Sequence, residues 1–259
     1  MKSRRRVPAP VRATGAPFLH RIESLPEEMD HTRYPFNIRA FSHGIDVTFR
    51  SKVTFFVGEN GSGKSTLLEA LAECCGFNPE GGNRDHHRAT FADRSPLAQA
   101  LRLSWLPKVT AGFFMRAESF YNFATYIEQV SDLRAYGGKS LHEQSHGESF
   151  ISLFANRFEQ GIYILDEPEA ALSPQRQLSF LKIIHDLSTP GHAQFLIATH
   201  SPILLSYPGA VLFDLDGDAI SQVGYRETKH FLITRDFLNA PERFFKHLFG
   251  TEEDDGVGT

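Results

Sequence analysis

GENGSGKST, residues 58–66, decides the fold. Gly58, Gly63, Lys64 and Ser65 satisfy G-x-x-x-x-G-K-[ST], with Gly61 as a further glycine inside the loop. Upstream, KVTFFVG is continuously apolar, as a central buried strand should be. Downstream, STLLEALAECCG places Leu67, Leu68, Leu71 and Cys74 at helical spacing, and Gly76 supplies a stop. Strand, glycine loop and helix in that order make a phosphate cradle. The glycines let the loop wrap closely, and the backbone N–H groups point inward at the start of a helix dipole. On this reading Lys64 reaches the β- and γ-phosphates, Ser65 offers its hydroxyl to Mg²⁺, and Thr66 lies near the α-phosphate.

A second stretch, GIYILDEPEAAL, supplies the acids such a cradle needs. Asp166 ends an apolar strand, where a carboxylate can hold Mg²⁺ through water. Glu167 follows at once. Successive side chains diverge at a strand end, so the two acids serve different roles, and Glu167 is placed to polarise an attacking water as a general base. Pro168 blocks further regular pairing.

Around these two stretches the chain alternates. FLHRIESL and GIDVTF read as half-buried strands. VTAGFFMRAE, AQFLIATHSP and AVLFDLDG read as strands. SFYNFATYIEQVSDL, FISLFANRF, QRQLSFLKIIHDLS and RDFLNAPERFFKHLF read as helical. Strand–helix alternation implies a largely parallel sheet with helices on both faces. Residues from about Asn78 to His142 are less regular. His86 and His87 in DHHR lack companions at metal spacing and read as a solvated loop. Neither a heptad run nor an internal repeat is present.

Composition bounds the rest. At 259 residues with 41% apolar and 22% charged, the chain can bury one large α/β core. A net charge of −4 gives no global field toward nucleic acid or anionic lipid, and Arg102, Lys108 and Arg116 are scattered. The expected organisation is a flexible basic arm at 1–16, a catalytic domain at 17–250 and an acidic tail at 251–259. Cys74 and Cys75 are adjacent, which excludes a disulfide framework and fits a reducing cytosol. The sequence has neither a long apolar run nor an apolar segment after its basic start. The expectation is therefore a cytoplasmic protein without a membrane span.

Taken together, GENGSGKST, YILDEPEAAL and LIATHSP resemble the ABC-type ATPases from about Phe18 to Gly217. The resemblance implies an α/β ABC-ATPase head. Its parts are a mostly parallel P-loop sheet, an antiparallel β edge and an inserted helical lobe, the last within about 78–160 together with a signature motif. It implies ATP and Mg²⁺ as ligands. Asn60 and Ser62 are usual in the family's phosphate loop, and His200 becomes its switch histidine beside the γ-phosphate. SHGES falls where the family's signature lies, so Ser145, Gly147 and Glu148 would meet ATP held by a second copy. The same residues also read as a plain capping box, Ser145 with Glu148. Glu118 stands where the family has its Q-loop glutamine, and as an acid it would bind Mg²⁺ or water; the same residue also reads as an exposed helix-start acid. Tyr34 and Phe36 lie where an aromatic stacks on adenine, with Tyr34 the preferred choice. Pro174 stands near the usual D-loop aspartate.

The divergent signature and the ATHSPILLS segment resemble the soluble branch related to SMC-type and OLD-type heads, without their coiled coil or nuclease domain. The expected function is an ATPase that splits ATP with water and dimerises head-to-tail around two ATP–Mg²⁺ to drive or gate a separate effector protein. DNA is a further candidate partner. The alternatives are the motor subunit of a membrane transporter and a nucleotide-gated binding module with little turnover.

Overall fold

The computed structural model describes residues 15–78, 81, 94–116 and 160–250. The expected lobe helices, Glu118, Ser145, Gly147, Glu148, His86 and His87 lie outside the described residues, as do the two expected tails for the most part.

Among the described residues, nine strands form two sheets. β1 (Leu19–Ser24) pairs antiparallel with β2 (Asp46–Thr48) on one side and β4 (Leu101–Trp105) on the other. The main sheet contains β3 (Val53–Val57), β5 (Gly112–Arg116), β6 (Gly161–Asp166), β7 (Ala193–Ala198), β8 (Val211–Asp214) and β9 (Ser221–Val223). Its order is β5-β6-β7-β3-β8-β9, parallel throughout except for β9. The antiparallel component is thus a separate three-stranded sheet plus one edge strand. β4 answers the alternation in LRLSW, inside the stretch whose sequence looked irregular.

The central strands are apolar because both faces are covered. Side chains alternate in direction along a strand. Phe56 of β3 therefore joins one core with Leu67, Leu68 and Leu71, while Val53, Phe55 and Val57 join the opposite core with Phe180 and Ile184. The first core packs under α1 (Lys64–Cys75), the second under α3 (Pro174–Ser188). Gly76 ends α1 in the left-handed region, as its position predicts. α2 (Pro96–Gln99) and α4 (Pro202–Leu205) are single turns, each capped by a serine. α5 (Lys229–Asn239) and α6 (Pro241–Phe249) form a C-terminal pair that breaks at Ala240, where the sequence suggests one helical segment.

One buried amide joins the two sheets. Gln194, in β7, accepts the N–H groups of Phe18 and Leu19 at 2.8 Å each and donates to the Leu19 carbonyl at 2.9 Å. All three bonds satisfy groups that burial would otherwise leave unpaired. Among the described residues, no helix is long and apolar enough to cross a membrane.

Candidate active site

The site lies beyond the carboxyl ends of the parallel strands, where open α/β sheets place their ligands. β3 lies between β7 and β8, so the loop leaving Val57 is flanked by the chain leaving each of them. Phe56 stands beside Ala198 and Val57 beside Asp214. Two residues beyond those neighbours come His200 and Asp216. Register also sets Asp166 beside Ala198 and Arg116 beside Asp166. Five strand ends thereby bring residues far apart in sequence to one edge.

The loop itself is shaped by its glycines. Gly58, Gly61 and Gly63 all have positive φ, at 148°, 81° and 100°. A Cβ on Gly63 would come within 2.9 Å of Phe41 and 3.0 Å of Ile38, so both the dihedral and the close packing require glycine. Lys64 is 4% exposed, and its ammonium donates to the carbonyls of Gly58 at 2.7 Å and Glu59 at 3.0 Å. Burial pulls it below the ordinary lysine value, against the acids around it. Asn60, Gly61, Gly63, Lys64, Ser65 and Thr66 line a cavity of about 240 Å³, together with Tyr34, Ile38 and Glu167. Tyr34 closes one side through a 2.8 Å hydrogen bond between its hydroxyl and that of Thr66. Ser62 stands inside the loop with its hydroxyl turned toward Gly58 and does not line the cavity.

Asp166 and Glu167 diverge, as strand-end neighbours should. Asp166 is buried and accepts the Ser65 hydroxyl at 3.1 Å, with the Arg116 guanidinium 3.6 Å from its other oxygen. Burial pushes its carboxyl up to about 6, with Ser65 and Arg116 opposing. Arg116 also pairs with Glu69 of α1, so it is a site residue rather than a scattered surface cation. Glu167 has φ 51° and ψ 50°, the single positive φ outside glycine among the described residues. That left-handed turn aims its carboxylate into the cavity and toward His200, whose Nε2 lies 3.5 Å away. Such strain persists where surrounding structure over-determines it, commonly at active sites.

Residues 36–111 match the family described as "AAA domain", and residues 141–206 match "AAA domain, putative AbiEii toxin, Type IV TA system". The hemin import ATP-binding protein HmuV of Pseudomonas aeruginosa is 28% identical over 181 residues, 61% of this chain and 70% of the relative. Its namesake from Aliivibrio fischeri is 24% identical over 217 residues, 76% and 83%. Together these matches support an ABC-type P-loop ATPase. Solved structures similar to this chain include cbiO1 from Clostridium perfringens, at 18% identity and TM-score 0.48, covering 89% of this chain and 99% of that one. The SMC head domain from Thermotoga maritima gives 14% and 0.45, covering 80% and 98%.

The site brings together Gly58, Gly63, Lys64, Ser65, Thr66, Tyr34, Asp166, Glu167 and His200. Phe36, offered beside Tyr34 as a base-stacking aromatic, is 4% exposed within the first core and cannot stack on a ligand. Pro174 begins α3, behind the cap Ser173. Three neighbours of His200 and the loop escaped the sequence reading. Glu169 is half-buried and accepts the His200 backbone N–H at 2.6 Å; desolvation of its carboxyl pushes it upward. Asp216 accepts the Glu59 N–H at 2.6 Å and the Lys229 ammonium at 2.8 Å. Burial opposes its charge, but Lys229 and the Glu59 N–H hold it below the usual carboxylate value. His230, on the first turn of α5, meets His200 directly. The second acid of DEPE was a visible signal for Glu169; Asp216 and His230 stand in no motif.

Proposed function

We propose that this chain binds ATP with Mg²⁺ and splits it with water, and that two copies close head-to-tail around two nucleotides to gate a separate effector. The convergence of Lys64, Ser65, Asp166, Glu167 and His200 at one sheet edge supports this reading most. Lys64 and the loop N–H groups would take the β- and γ-phosphates. Tyr34 would carry the adenine on its exposed ring. Ser65 and Asp166 fit Mg²⁺ by chemistry: a hydroxyl already directed at a buried carboxylate is an oxygen donor pair of the kind that hard cation takes. When bound, the cation would neutralise charge on the phosphates. Glu118 would add an oxygen from the segment outside the described residues.

In the reaction Glu167 takes a proton from water as the water oxygen bonds the γ-phosphorus and the bond to ADP breaks. His200, beside Glu167, donates to the γ-phosphate. Ser145, Gly147 and Glu148 of one copy would meet the phosphate held by the other. Two such sites follow from one two-fold axis. The reading belongs to the cytoplasmic, SMC- and OLD-related branch.

The test is Glu167→Gln in the full chain, sized by light scattering with and without Mg-ATP. An ATP-dependent dimer with slowed phosphate release is expected. A monomer at high protein and ATP concentration overturns the clamp. Ser145→Arg should bind ATP yet stay monomeric, and unchanged turnover there reduces SHGES to a helix cap. The kinship with hemin import ATP-binding proteins favours a second reading, a transporter motor. Recovery of a multi-span membrane protein with the ATP-bound Glu167→Gln form would select it; recovery of DNA or a water-soluble protein would select the first.

A further inference from the structure

Two histidines meet beside the cavity, and one of them lies in no motif. Nδ1 of His200 and Nε2 of His230 are 2.7 Å apart, with ring centroids at 4.9 Å and planes inclined by 58°. At that distance the two nitrogens share a single proton. Two protons would collide, and none would oppose two lone pairs. The proton belongs either to His200 or to His230, and the far side of the His200 ring decides which.

Nε2 of His200 is buried and lies 3.5 Å from the Glu167 carboxylate. Were Nδ1 of His200 protonated, the neutral ring would turn a lone pair toward that carboxylate and toward any phosphate in the cavity. Were His230 the donor, Nδ1 of His200 would accept and Nε2 would carry the proton, facing both anions as a donor. Electrostatics favours the second arrangement. Both rings being neutral agrees with their surroundings, since burial pulls each below the ordinary histidine value.

Other contacts leave His230 in control of the ring. The His200 backbone is already fixed by Glu169, so the ring's remaining freedom is its rotation and tautomer. The residues before His230 are anchored in turn. Thr228 is buried and caps α5 by accepting the Phe231 N–H at 3.3 Å. Lys229 pairs at 2.8 Å with Asp216, which itself holds the Glu59 N–H of the phosphate loop. Outer partners of this kind commonly set which nitrogen of a functional histidine carries its proton.

We infer that His230 is a positioning residue: its Nε2–H donates to Nδ1 of His200 and so holds His200 as the Nε2–H tautomer, aimed at Glu167 and the γ-phosphate. The inference rests on the proposed ATPase reading for its purpose, but not for its geometry.

The test uses the full chain labelled with ¹⁵N-histidine. Long-range ¹H–¹⁵N spectra read the tautomers without nucleotide, and His200→Gln assigns the His200 signals. Expected are a pyridine-like Nδ1 and a protonated Nε2 on His200. In His230→Leu the Nδ1–H form of His200 should grow. Its kcat for phosphate release should fall on the order of tenfold, with the KM for ATP little changed. His230→Gln, whose amide N–H can make the same bond, should restore most of both. An Nδ1–H form of His200 in the parent chain overturns the inference. So does an unaltered tautomer in His230→Leu, or an equal kcat loss in the Leu and Gln variants. A parent chain that releases no phosphate refutes the ATPase reading instead, and leaves the spectra to decide the tautomer.

Discussion

α1 and α5 both deliver their first turns to the same site, yet they are built on opposite plans. α1 buries Lys64, Leu67, Leu68, Ala70, Leu71, Ala72 and Cys75 against the sheet. α5 and its successor α6 bury none of their residues, and they leave Ile233, Leu238, Phe245, Leu248 and Phe249 exposed. Both contribute through residues at the helix start: Lys64 and Ser65 on one, Lys229 and His230 on the other. Lys64 and Ser65 thus ride on an element that cannot move without opening the core. The residue that meets His200 rides on one fixed mainly at its first turn. The same chemical change in the two helices should therefore have very different consequences.

The largest effect is expected from Leu71→Ala in α1. Leu71 is fully buried in the core beneath the sheet. Removing its side chain forfeits transfer energy and leaves a cavity, at about 2–5 kcal/mol. For a chain of this size that is a fall of roughly 5–15 °C in Tm by calorimetry. A loss under about 1 kcal/mol would mean that α1 is not locked to the sheet, and the contrast with α5 would fail.

A smaller and opposite effect is expected at Glu167. Its left-handed backbone costs of order 1 kcal/mol, which glycine would relieve, less the extra entropy glycine gains in the unfolded chain. Glu167→Gly should therefore raise stability by up to about 1 kcal/mol while abolishing hydrolysis. A drop in stability in chemical denaturation would show that the turn is held by the Glu167 side chain instead. This sharpens the comparison, because only the embedded side of the site can hold a strained residue in place.

That same division governs what the sequence revealed. The phosphate loop, Asp166, Glu167 and His200 were legible because each sits at a fixed step from an apolar strand, and the strand is written in consecutive residues. Phe55, Ile164 and Ile197 announce their strands, and the next few residues follow. The choice between Tyr34 and Phe36 was not legible: two aromatics two residues apart satisfy the same rule, and only packing shows that Phe36 belongs to the core. β4 was missed because LRLSW is stable only through pairing with β1, far away in sequence. Asp216 is reached by register, two residues past the partner of Val57, and register is a property of the sheet rather than of any segment. His230 is least legible of all. It meets His200 across thirty residues, from a helix whose other side chains give no pattern of burial to locate it.

The smallest effect is expected from Leu248→Ala in α6, the same truncation as in α1. Leu248 is 66% exposed, so little apolar area leaves or enters water on unfolding. Alanine also keeps the helix propensity that leucine provides. The change should stay within about 0.5 kcal/mol, and Tm should move by no more than about 2 °C. Phosphate release should be unaltered, because Lys229 and His230 stand at the far end of the helix pair. If Leu248→Ala cost as much as Leu71→Ala, α6 would have to be packed in the folded protein, and the two helices would no longer differ in kind. If stability held but turnover changed, the pair would reach the site through more than its first turn, and the anchoring by Thr228, Lys229 and His230 would be only part of the connection.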